Sequence, residues 1–181
     1  MLGFAAIAEP LFSILLGKQW LPAVIFFQII SLAMMLYPIH AFNINILKVY
    51  GRSDLFLKLE IIKKIIISIS VVVAFQFGVI GLVLSSVFTS FTALGVNMFY
   101  SSKLIKYPIR KQVLDLSITF FIALFTAFLM FKTTSLFSQT TSIIQIIIAS
   151  LTGFTIYIII NYFIKNSPLH QVIQIYNTRN L

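Results

Sequence analysis

Residues 79–100, VIGLVLSSVFTSFTALGVNMFY, decide the fold because they form a long apolar run without a charged side chain. About 20 consecutive apolar residues let an α-helix cross the hydrocarbon core of a bilayer. Backbone polar groups in lipid must bond internally, so such a run is a helix or a barrel strand. A barrel strand would alternate over about ten residues, and this stretch does not alternate. It therefore predicts a transmembrane α-helix.

Five further apolar segments surround this run. The six segments are residues 1–16, 21–47, 55–75, 79–100, 116–131 (extendable to 136) and 143–164. Runs such as Ile65-Ile66-Ile67 are rich in β-branched residues, yet their apolar length outweighs that strand propensity. The pattern predicts an all-α membrane protein, a polytopic helix bundle with about six transmembrane segments.

Composition excludes most other classes of protein. Charged residues make up 9% of the chain and hydrophobic residues 60%, whereas a soluble domain carries about 25% charged residues. That fraction excludes a soluble enzyme or a nucleic-acid-binding domain. The net charge of +9 therefore indicates membrane topology rather than a nucleic-acid partner. The chain has no cysteine, which excludes disulfides, thiol catalysis and zinc thiolate sites.

Most cations lie at one end of the predicted spans. Lys18 and Lys132 fall in connections on one side. The larger set on the other side is Lys48, Arg52, Lys58, Lys103, Lys106, Arg110, Lys111, Lys165 and Arg179. By the positive-inside rule the richer side is cytoplasmic. This predicts a basic cytoplasmic loop at residues 101–115, a cytoplasmic tail at residues 165–181 and thus a cytoplasmic C-terminus, with membrane lipids around the spans.

The first segment is short for a span, since a helix over residues 1–16 covers only about 24 Å. We expect it to be the tail of a longer helix whose start is missing, and the alternative is a genuine short first span. Glu9-Pro10 lies near its middle. Because a carboxylate at bilayer depth is a functional candidate by default, Glu9 is a candidate substrate-binding residue.

Lys63 and Lys64 lie roughly 13 Å along a helix that enters the membrane at Leu55. An ammonium facing lipid costs about 2.5–3.5 kcal/mol, so such residues face a cavity or extend to the interface. One hypothesis is that both meet an anionic group, such as a lipid-linked phosphate, in a water-filled cavity. Adjacent helical residues point about 100° apart, however. The alternative is a charged first turn or two that projects into the cytoplasm.

Local signals also mark helix ends and pairs. Gly51 can close the second segment, and Ser53 or Asp54 can cap the third. Asp115 can cap the fifth. The i,i+4 pairs Asp54–Lys58 and Glu60–Lys64 have the favourable order for ion pairing on a helix.

Small and polar residues recur at every fourth position of the run at residues 79–100. They are Gly81, Ser85, Thr89, Ala93 and Asn97, with Gly78, Ser86 and Ser90 on a neighbouring row. Small residues let helix backbones approach closely in membranes, so we expect this helix to be internal and packed against a partner. The alternative is a hydrophilic stripe that lines a pathway. The last two helices carry little charge, and Ala149-x-x-x-Gly153 offers them one close contact.

The second segment contains Pro38, which predicts a kink. His40 and Asn43 follow it on one helix face. They are candidates for a substrate or proton site, and the alternative is an interhelical hydrogen bond. No paired carboxylates, metal cluster, nucleophile elbow or phosphate-binding loop appears in the sequence. We therefore predict no enzyme, no cofactor and no metal site, and treat Glu60 and Asp115 as isolated acids.

Three stretches of the sequence resemble a known family. They are YPIHAFNINILK at residues 37–48 with GRSDLFLKLEIIKK at 51–64, EP at 9–10 with GKQWLPA at 17–23, and FGVIG at 77–81. On these residues the chain resembles the C-terminal part of Wzx-type lipopolysaccharide or polysaccharide flippases. These are polysaccharide transporters of the multidrug/oligosaccharidyl-lipid/polysaccharide exporter superfamily. The resemblance covers residues 1–115, and the last two helices match only as generic spans.

This resemblance implies a two-lobed exporter of about twelve to fourteen helices around a central cavity. Such proteins move undecaprenyl-pyrophosphate-linked oligosaccharides across the bacterial inner membrane by alternating access. Residues 1–100 would then end the C-terminal lobe as a truncated helix plus three helices, with two peripheral helices at residues 116–164. In the family, cationic cavity residues meet the pyrophosphate, and Lys63 and Lys64 are the natural carriers of that role.

The length implies that most of such a transporter is absent from this sequence. We expect a fragment that cannot transport alone and needs a missing N-terminal lobe. A second hypothesis is a small accessory integral membrane subunit that packs against a partner helix bundle through the fourth segment. A third is a membrane enzyme that uses Glu60 or Asp115.

Overall fold

The computed structural model describes residues 1–164, and within that part all regular structure is helical. A 3₁₀ segment at Lys18–Ala23 lies between the second and third α-helices. The α-helices are α1 Leu2–Ala6, α2 Ala8–Leu15, α3 Val24–Met34, α4 Tyr37–Val49, α5 Ser53–Phe75, α6 Gly78–Ile105, α7 Ile109–Leu136 and α8 Ser142–Phe163. The predicted all-α class is confirmed for these residues, and the tail predicted at residues 165–181 lies outside them.

Four helical segments of the described part are long and apolar enough to cross a bilayer. They are Lys18–Val49, Gly78–Ile105, Ile109–Leu136 and Ser142–Phe163. α5 has the necessary length, at 23 residues, but it carries too many charged side chains to count among them. α1 and α2 are too short, at 5 and 8 residues. The chain therefore has the helices of a multi-pass membrane protein, and four of the six predicted spans combine the required length and apolarity.

The regular helical pattern of the segment Lys18–Val49 is interrupted between α3 and α4. α3 ends at Met34, α4 begins at Tyr37, and Pro38 lies in the first turn of α4. Proline has no backbone N–H, and its ring clashes with the carbonyl four residues earlier. The Met35 N–H still donates to the Ser31 carbonyl, and the regular ladder is interrupted at residues 36–38. The structure shows an interruption of the helix in the turn just before Pro38, and the kink itself stays a prediction.

α4 ends in a turn that requires Gly51. The Arg52 N–H donates to the Leu47 carbonyl at 2.9 Å, and the Gly51 N–H donates to the Lys48 carbonyl at 3.0 Å. These two bonds form a Schellman motif. Gly51 has a φ of 64°, in the left-handed region that disfavours any residue with a Cβ. The prediction that Gly51 closes this helix is confirmed.

The start of α5 differs from the prediction. Arg52 precedes the helix, and no side chain caps its backbone there. The Asp54 carboxylate instead accepts two bonds from the Arg52 guanidinium, from Nε at 2.9 Å and Nη2 at 2.8 Å. The expected Asp54–Lys58 pair is therefore wrong, because the planar guanidinium offers a two-bond geometry that an ammonium cannot. The Arg52 guanidinium lowers the pKa of Asp54 to about 2.

α6 is the central helix of a compact unit that contains Pro22–Asp115. It packs against α3, α4 and α5, and α4 also packs against α5. At the turn between α5 and α6, a Cβ on Gly81 would lie 2.6 Å from the Ala74 carbonyl oxygen. Only glycine permits that approach. The predicted packing of this helix against other helices is confirmed within the unit, whereas the face with Leu84, Phe88 and Phe91 stays exposed, so the helix is not internal there.

A second unit contains Leu2–Leu21 and, in the described part, residues 116–164. α2 packs against α8, and Ala6, Ile7, Met130 and Ala149 form a buried apolar cluster. A Cβ on Gly153 would come within 2.7 Å of the Met130 Cγ, which confirms the close contact predicted at Ala149 and Gly153. α1 and α2 therefore pack with the last two helices, whereas the sequence grouped them with residues 1–100. The small residues of α8 provide that packing surface.

The predicted basic loop at residues 101–115 is wrong in extent. α6 continues to Ile105 and α7 begins at Ile109, so only residues 106–108 connect the two helices. Lysine and arginine are good helix formers, and their charges therefore lie on the helix ends. Asp115 lies in the second turn of α7 and does not cap it. Its carboxylate accepts a hydrogen bond from the Tyr107 hydroxyl instead, which raises the pKa of Tyr107.

The left-handed residue at the end of α4 gives a direct test. Replacing Gly51 by alanine should lower the free energy of unfolding by about 1–2 kcal/mol, because L-residues disfavour positive φ. Gly95→Ala is a matched control, since Gly95 lies inside α6 and a Cβ there meets nothing within 4 Å. That control should be neutral or stabilising by up to about 1 kcal/mol. Unfolding titrations in detergent micelles measure both values, and equal effects would contradict the assigned turn.

Candidate functional site

A line of polar side chains joins α4 to α6. Its members are His40 and Asn43 of α4, with Ser90, Asn97 and Ser101 of α6, and we call it the polar seam. Both helices belong to segments that are apolar enough to span a membrane. Their spacing, three residues on α4 and seven then four on α6, keeps each set on one helix face. The seam therefore places hydrogen-bonding groups where protein partners must satisfy them.

His40 lies at the centre of a chain of hydrogen bonds. The Asn97 Nδ2 lies 3.1 Å from His40 Nδ1, and His40 Nε2 lies 3.3 Å from the Ser90 Oγ. The Ser90 hydroxyl donates to the Ala33 carbonyl at 3.0 Å. Ala33 belongs to α3, before the break at residues 35–36, and His40 belongs to α4, after it. The chain therefore connects both sides of the break to α6.

The direction of these bonds assigns the tautomer of His40. Ser90 has one hydroxyl proton and donates it to Ala33. The Ser90 oxygen can then only accept from His40, so the imidazole carries its proton on Nε2. The Asn97 amide donates to the remaining ring nitrogen, Nδ1. A neutral ring protonated on Nε2 is thus the form that satisfies each bond in the chain.

Asn43 and Ser101 make a second contact in the seam. The Ser101 hydroxyl donates to the Asn43 Oδ1, and the Asn43 Nδ2 donates to the Ile39 carbonyl at 2.9 Å. Both side chains are buried, with 1% exposure for Asn43 and 0% for Ser101. The interhelical hydrogen bonds considered for His40 and Asn43 are thus present.

One atom of the seam has no partner among the described residues. The Oδ1 of Asn97 is buried and accepts no hydrogen bond, although the Nδ2 of the same amide donates to His40. Asn97 is fully buried. An unsatisfied buried acceptor costs about 1–3 kcal/mol.

α5 adds a largely buried ion pair beside the seam. The Lys63 Nζ lies 2.5 Å from the Glu60 Oε1, and the Lys63 side chain is only 11% exposed. The ammonium of Lys63 is within electrostatic range of the His40 ring. The predicted Glu60–Lys64 pair is wrong, because Lys63 projects toward the interior and reaches Glu60 first.

Lys64 points away from this pair. It is exposed, near the midpoint of α5, and forms no ion pair within residues 1–164. The step of about 100° between adjacent residues separates the two lysines. The structure therefore gives Lys63 an internal carboxylate and leaves the charge of Lys64 available to a group outside the described chain.

The other predicted residues fall into two groups. Glu9 is exposed in the first turn of α2 and belongs to the unit of the last helices, not to the unit of the seam. The hydroxyls of Ser85 and Thr89 donate to the Leu82 and Ser86 carbonyls of their own helix. Ala93 is half-buried. Of the predicted stripe of small and polar residues on α6, Asn97 is therefore the member that makes a polar contact with another helix, through His40 of α4.

Three contributing residues were not selected as site candidates from the sequence. The sequence pairs Glu60 with Lys64, puts Ser90 on a neighbouring row of small residues and puts Ser101 in the predicted loop, whereas the structure gives all three a contact in or beside the seam. A signal for the serines exists, since Ser90, Asn97 and Ser101 share the periodicity of one helix face.

The described residues offer hydrogen bonding and fixed charge rather than a set of metal ligands. Residues 1–164 contain no group of three or more His, Cys, Asp or Glu side chains that could hold a metal ion. The seam can fix the helix positions and hold a proton on a ring nitrogen, and Lys64 can bind an anion. The site therefore combines a neutral polar network with an available cation.

The Asn43–Ser101 contact can be tested with a neighbouring serine. Ser101→Ala should lower the free energy of unfolding by about 1–3 kcal/mol, because it leaves the buried Asn43 Oδ1 without its donor. Ser102→Ala is the matched control, since its hydroxyl bonds the Phe99 carbonyl of its own helix. Unfolding in detergent micelles should show little effect for the control. A Ser101→Ala variant as stable as the Ser102→Ala variant would contradict the contact.

No protein-family model, curated protein or solved structure matches this chain. A function for the polar seam and the α5 cations must therefore be inferred from their own chemistry and placement.

Proposed function

We propose that this chain is part of a flippase that moves lipid-linked oligosaccharides across the bacterial inner membrane by alternating access, for lipopolysaccharide or polysaccharide synthesis. The observation that carries the proposal is Lys64, an exposed cation near the middle of α5 without an ion-pair partner in the described residues. A charge at this depth usually faces a water-filled pathway or meets a counter-charge. The pyrophosphate of an undecaprenyl-type carrier is a suitable counter-charge.

The two lysines have different roles in this proposal. Lys63 is held by Glu60 of its own helix, so its ammonium is already paired inside the protein. Lys64 is free to bind the anionic group of the substrate. This division refines the sequence hypothesis, in which both lysines contacted the phosphate.

The broken helix supports a moving element. α3 and α4 are separate helices joined by residues 35–36. A short connection of this kind can act as a hinge, because its φ and ψ angles can change while the helices stay intact. The His40–Ser90–Ala33 chain crosses this break and holds it in one arrangement. A change between the two access states would therefore require these hydrogen bonds to rearrange. In this proposal the hydrogen bonds of the seam stabilise one of the two conformations.

The proposed orientation places the C-terminus and the α6–α7 connection in the cytoplasm. Lys103, Lys106, Arg110 and Lys111 lie at that connection, as the positive-inside rule requires. α5 crosses the bilayer despite its charges in this proposal. Its support is the packing of α5 along α6, to which it is joined by residues 76–77 alone.

The accessory-subunit alternative loses its main argument. That hypothesis used the small-residue stripe of α6 as the surface for a partner bundle. α6 packs against α3, α4 and α5 of its own unit. In the flippase proposal, the partner is instead the remainder of the transporter, which completes a cavity facing Lys64.

Lys64 gives the decisive functional test. In cells where the assembled transporter exports its glycan, Lys64→Met should reduce transport about tenfold or more, because a hydrogen bond to a charged group contributes about 1.5–3 kcal/mol. Lys64→Arg should retain transport. Lys58→Met, which removes another exposed cation of α5, is the matched control. Export is measured with membrane abundance held equal. Normal transport by Lys64→Met would refute the assigned role.

The crossing of α5 can be measured because the chain has no native cysteine. Ser53→Cys and Gln76→Cys place single thiols at exposed positions on either end of α5. A membrane-impermeant maleimide should label Gln76→Cys in intact spheroplasts and Ser53→Cys only after lysis. Labelling of both from the same side would show that α5 does not cross. The reverse pattern would invert the proposed orientation.

A further inference from the structure

We propose that His40 is a proton-binding site, and that the Asn97 side-chain amide reverses when the proton binds. The inference rests on the hydrogen bonds of the polar seam and on the unpartnered Oδ1 of Asn97. It goes beyond the proposed flippase function and does not depend on which substrate the chain helps to carry.

The neutral seam uses only half of the Asn97 amide. Its Nδ2 donates to His40 Nδ1, while its Oδ1 is buried without a partner in the described residues. Asn97 is fully buried, so its environment offers this acceptor no exposed surface. The Asn97 side chain therefore has an unused hydrogen-bond acceptor, Oδ1, on the same amide group whose Nδ2 contacts the ring.

If His40 gains a proton, the Asn97 Oδ1 can accept a hydrogen bond from the ring. His40 Nε2–H already donates to Ser90, whose own proton is donated to Ala33. The only ring position left for a proton is Nδ1, where the Asn97 Nδ2 now donates. An imidazolium donates from both nitrogens, so Nδ1–H would oppose the amide N–H. A half-turn of the amide replaces Nδ2 by Oδ1 and restores a donor–acceptor pair.

The seam therefore has two states that differ by one proton, and in each of them the Asn97 amide is hydrogen-bonded to the His40 ring. In the neutral state Asn97 donates to His40, and in the charged state His40 donates to Asn97. The proton is taken from water onto the Nδ1 lone pair, and it returns to water when the ring is neutral again. No covalent bond other than N–H forms or breaks. His40 is half-buried rather than fully enclosed.

Within residues 1–164, the charged groups that act on the ring belong to α5. α5 supplies Lys63, whose charge reaches His40, and Glu60, which pairs with Lys63. α3 contributes the Ala33 carbonyl, and α6 contributes the neutral side chains of Ser90 and Asn97. Uptake of a proton by His40 adds one positive charge to the seam, in addition to the Lys63 charge that already acts on the ring. The proton thus changes both the electrostatics and the bond direction between α4 and α6.

The full-length chain in detergent micelles, labelled with ¹⁵N at histidine and asparagine side chains, provides the test. His170→Gln removes the other histidine and leaves His40 as the only ring observed. Imidazole nitrogen shifts report the tautomer and the charged form. A scalar coupling across the N–H···N bond reports whether the Asn97 Nδ2 donates to His40 Nδ1.

At alkaline pH we expect an Nε2–H tautomer and a coupling between the two nitrogens. On acidification of the folded protein, the ring should gain a proton at Nδ1 and the coupling should disappear at the same pH. Asn97→Leu should abolish the coupling at every pH and release the tautomer preference. Asn45→Leu, at an exposed position of α4, should leave both unchanged.

Three results would overturn the inference. The first is an Nδ1–H tautomer at alkaline pH. The second is a ring that stays neutral until the protein unfolds. The third is a coupling that persists after the ring is protonated, which would mean that the amide keeps its orientation and that a water satisfies Oδ1. Because the first and third are read from the His170→Gln chain alone, the test stands even if Asn97→Leu does not fold.

Discussion

A polar group between apolar membrane helices must find its partner inside the protein, and this constraint organises the unit built around α6. Water could satisfy any of these side chains on a soluble surface. In a bilayer the same groups must bond to neighbouring helices or to their own backbone. His40, Asn43 and Ser90 meet that requirement by contacts between helices, whereas Ser85 and Thr89 bond to their own helix. Where the first solution is used, the helices are held in a defined register.

Much of this fold follows from apolar length and a few backbone signals. The long uncharged run fixes α6, Pro38 fixes the break before α4, and Gly51 fixes its end. These features are local, since a residue of given stereochemistry imposes them wherever it lies. The close approach of α5 and α6 at their connection also follows from a small residue, Gly81. The sequence therefore predicts the structure correctly where one residue, such as Pro38 or Gly51, permits only one local backbone conformation.

It fails where several partners compete for one charged group. Glu60 has a lysine at both i+3 and i+4, and the sequence cannot rank them because the choice depends on which one the surrounding helices bury. Asp54 likewise has Lys58 within reach but pairs with Arg52. The extent of the predicted basic loop at residues 101–115 is wrong for a related reason. Charge density suggested a loop, but lysine and arginine extend helices readily when their side chains can reach polar surroundings.

The seam also explains why α5 carries its charges where it does. Lys63 alone would place an uncompensated ammonium beside the His40 ring, at a high desolvation cost. Glu60 pairs with that charge from one turn away on the same helix, although the Lys63 charge still acts on the His40 ring. Lys64, one residue further, faces outward and needs no internal partner. The charge of Lys63 is thus internal and paired, and the charge of Lys64 is exposed and available to a ligand. The rotation of about 100° between adjacent helical residues causes this difference.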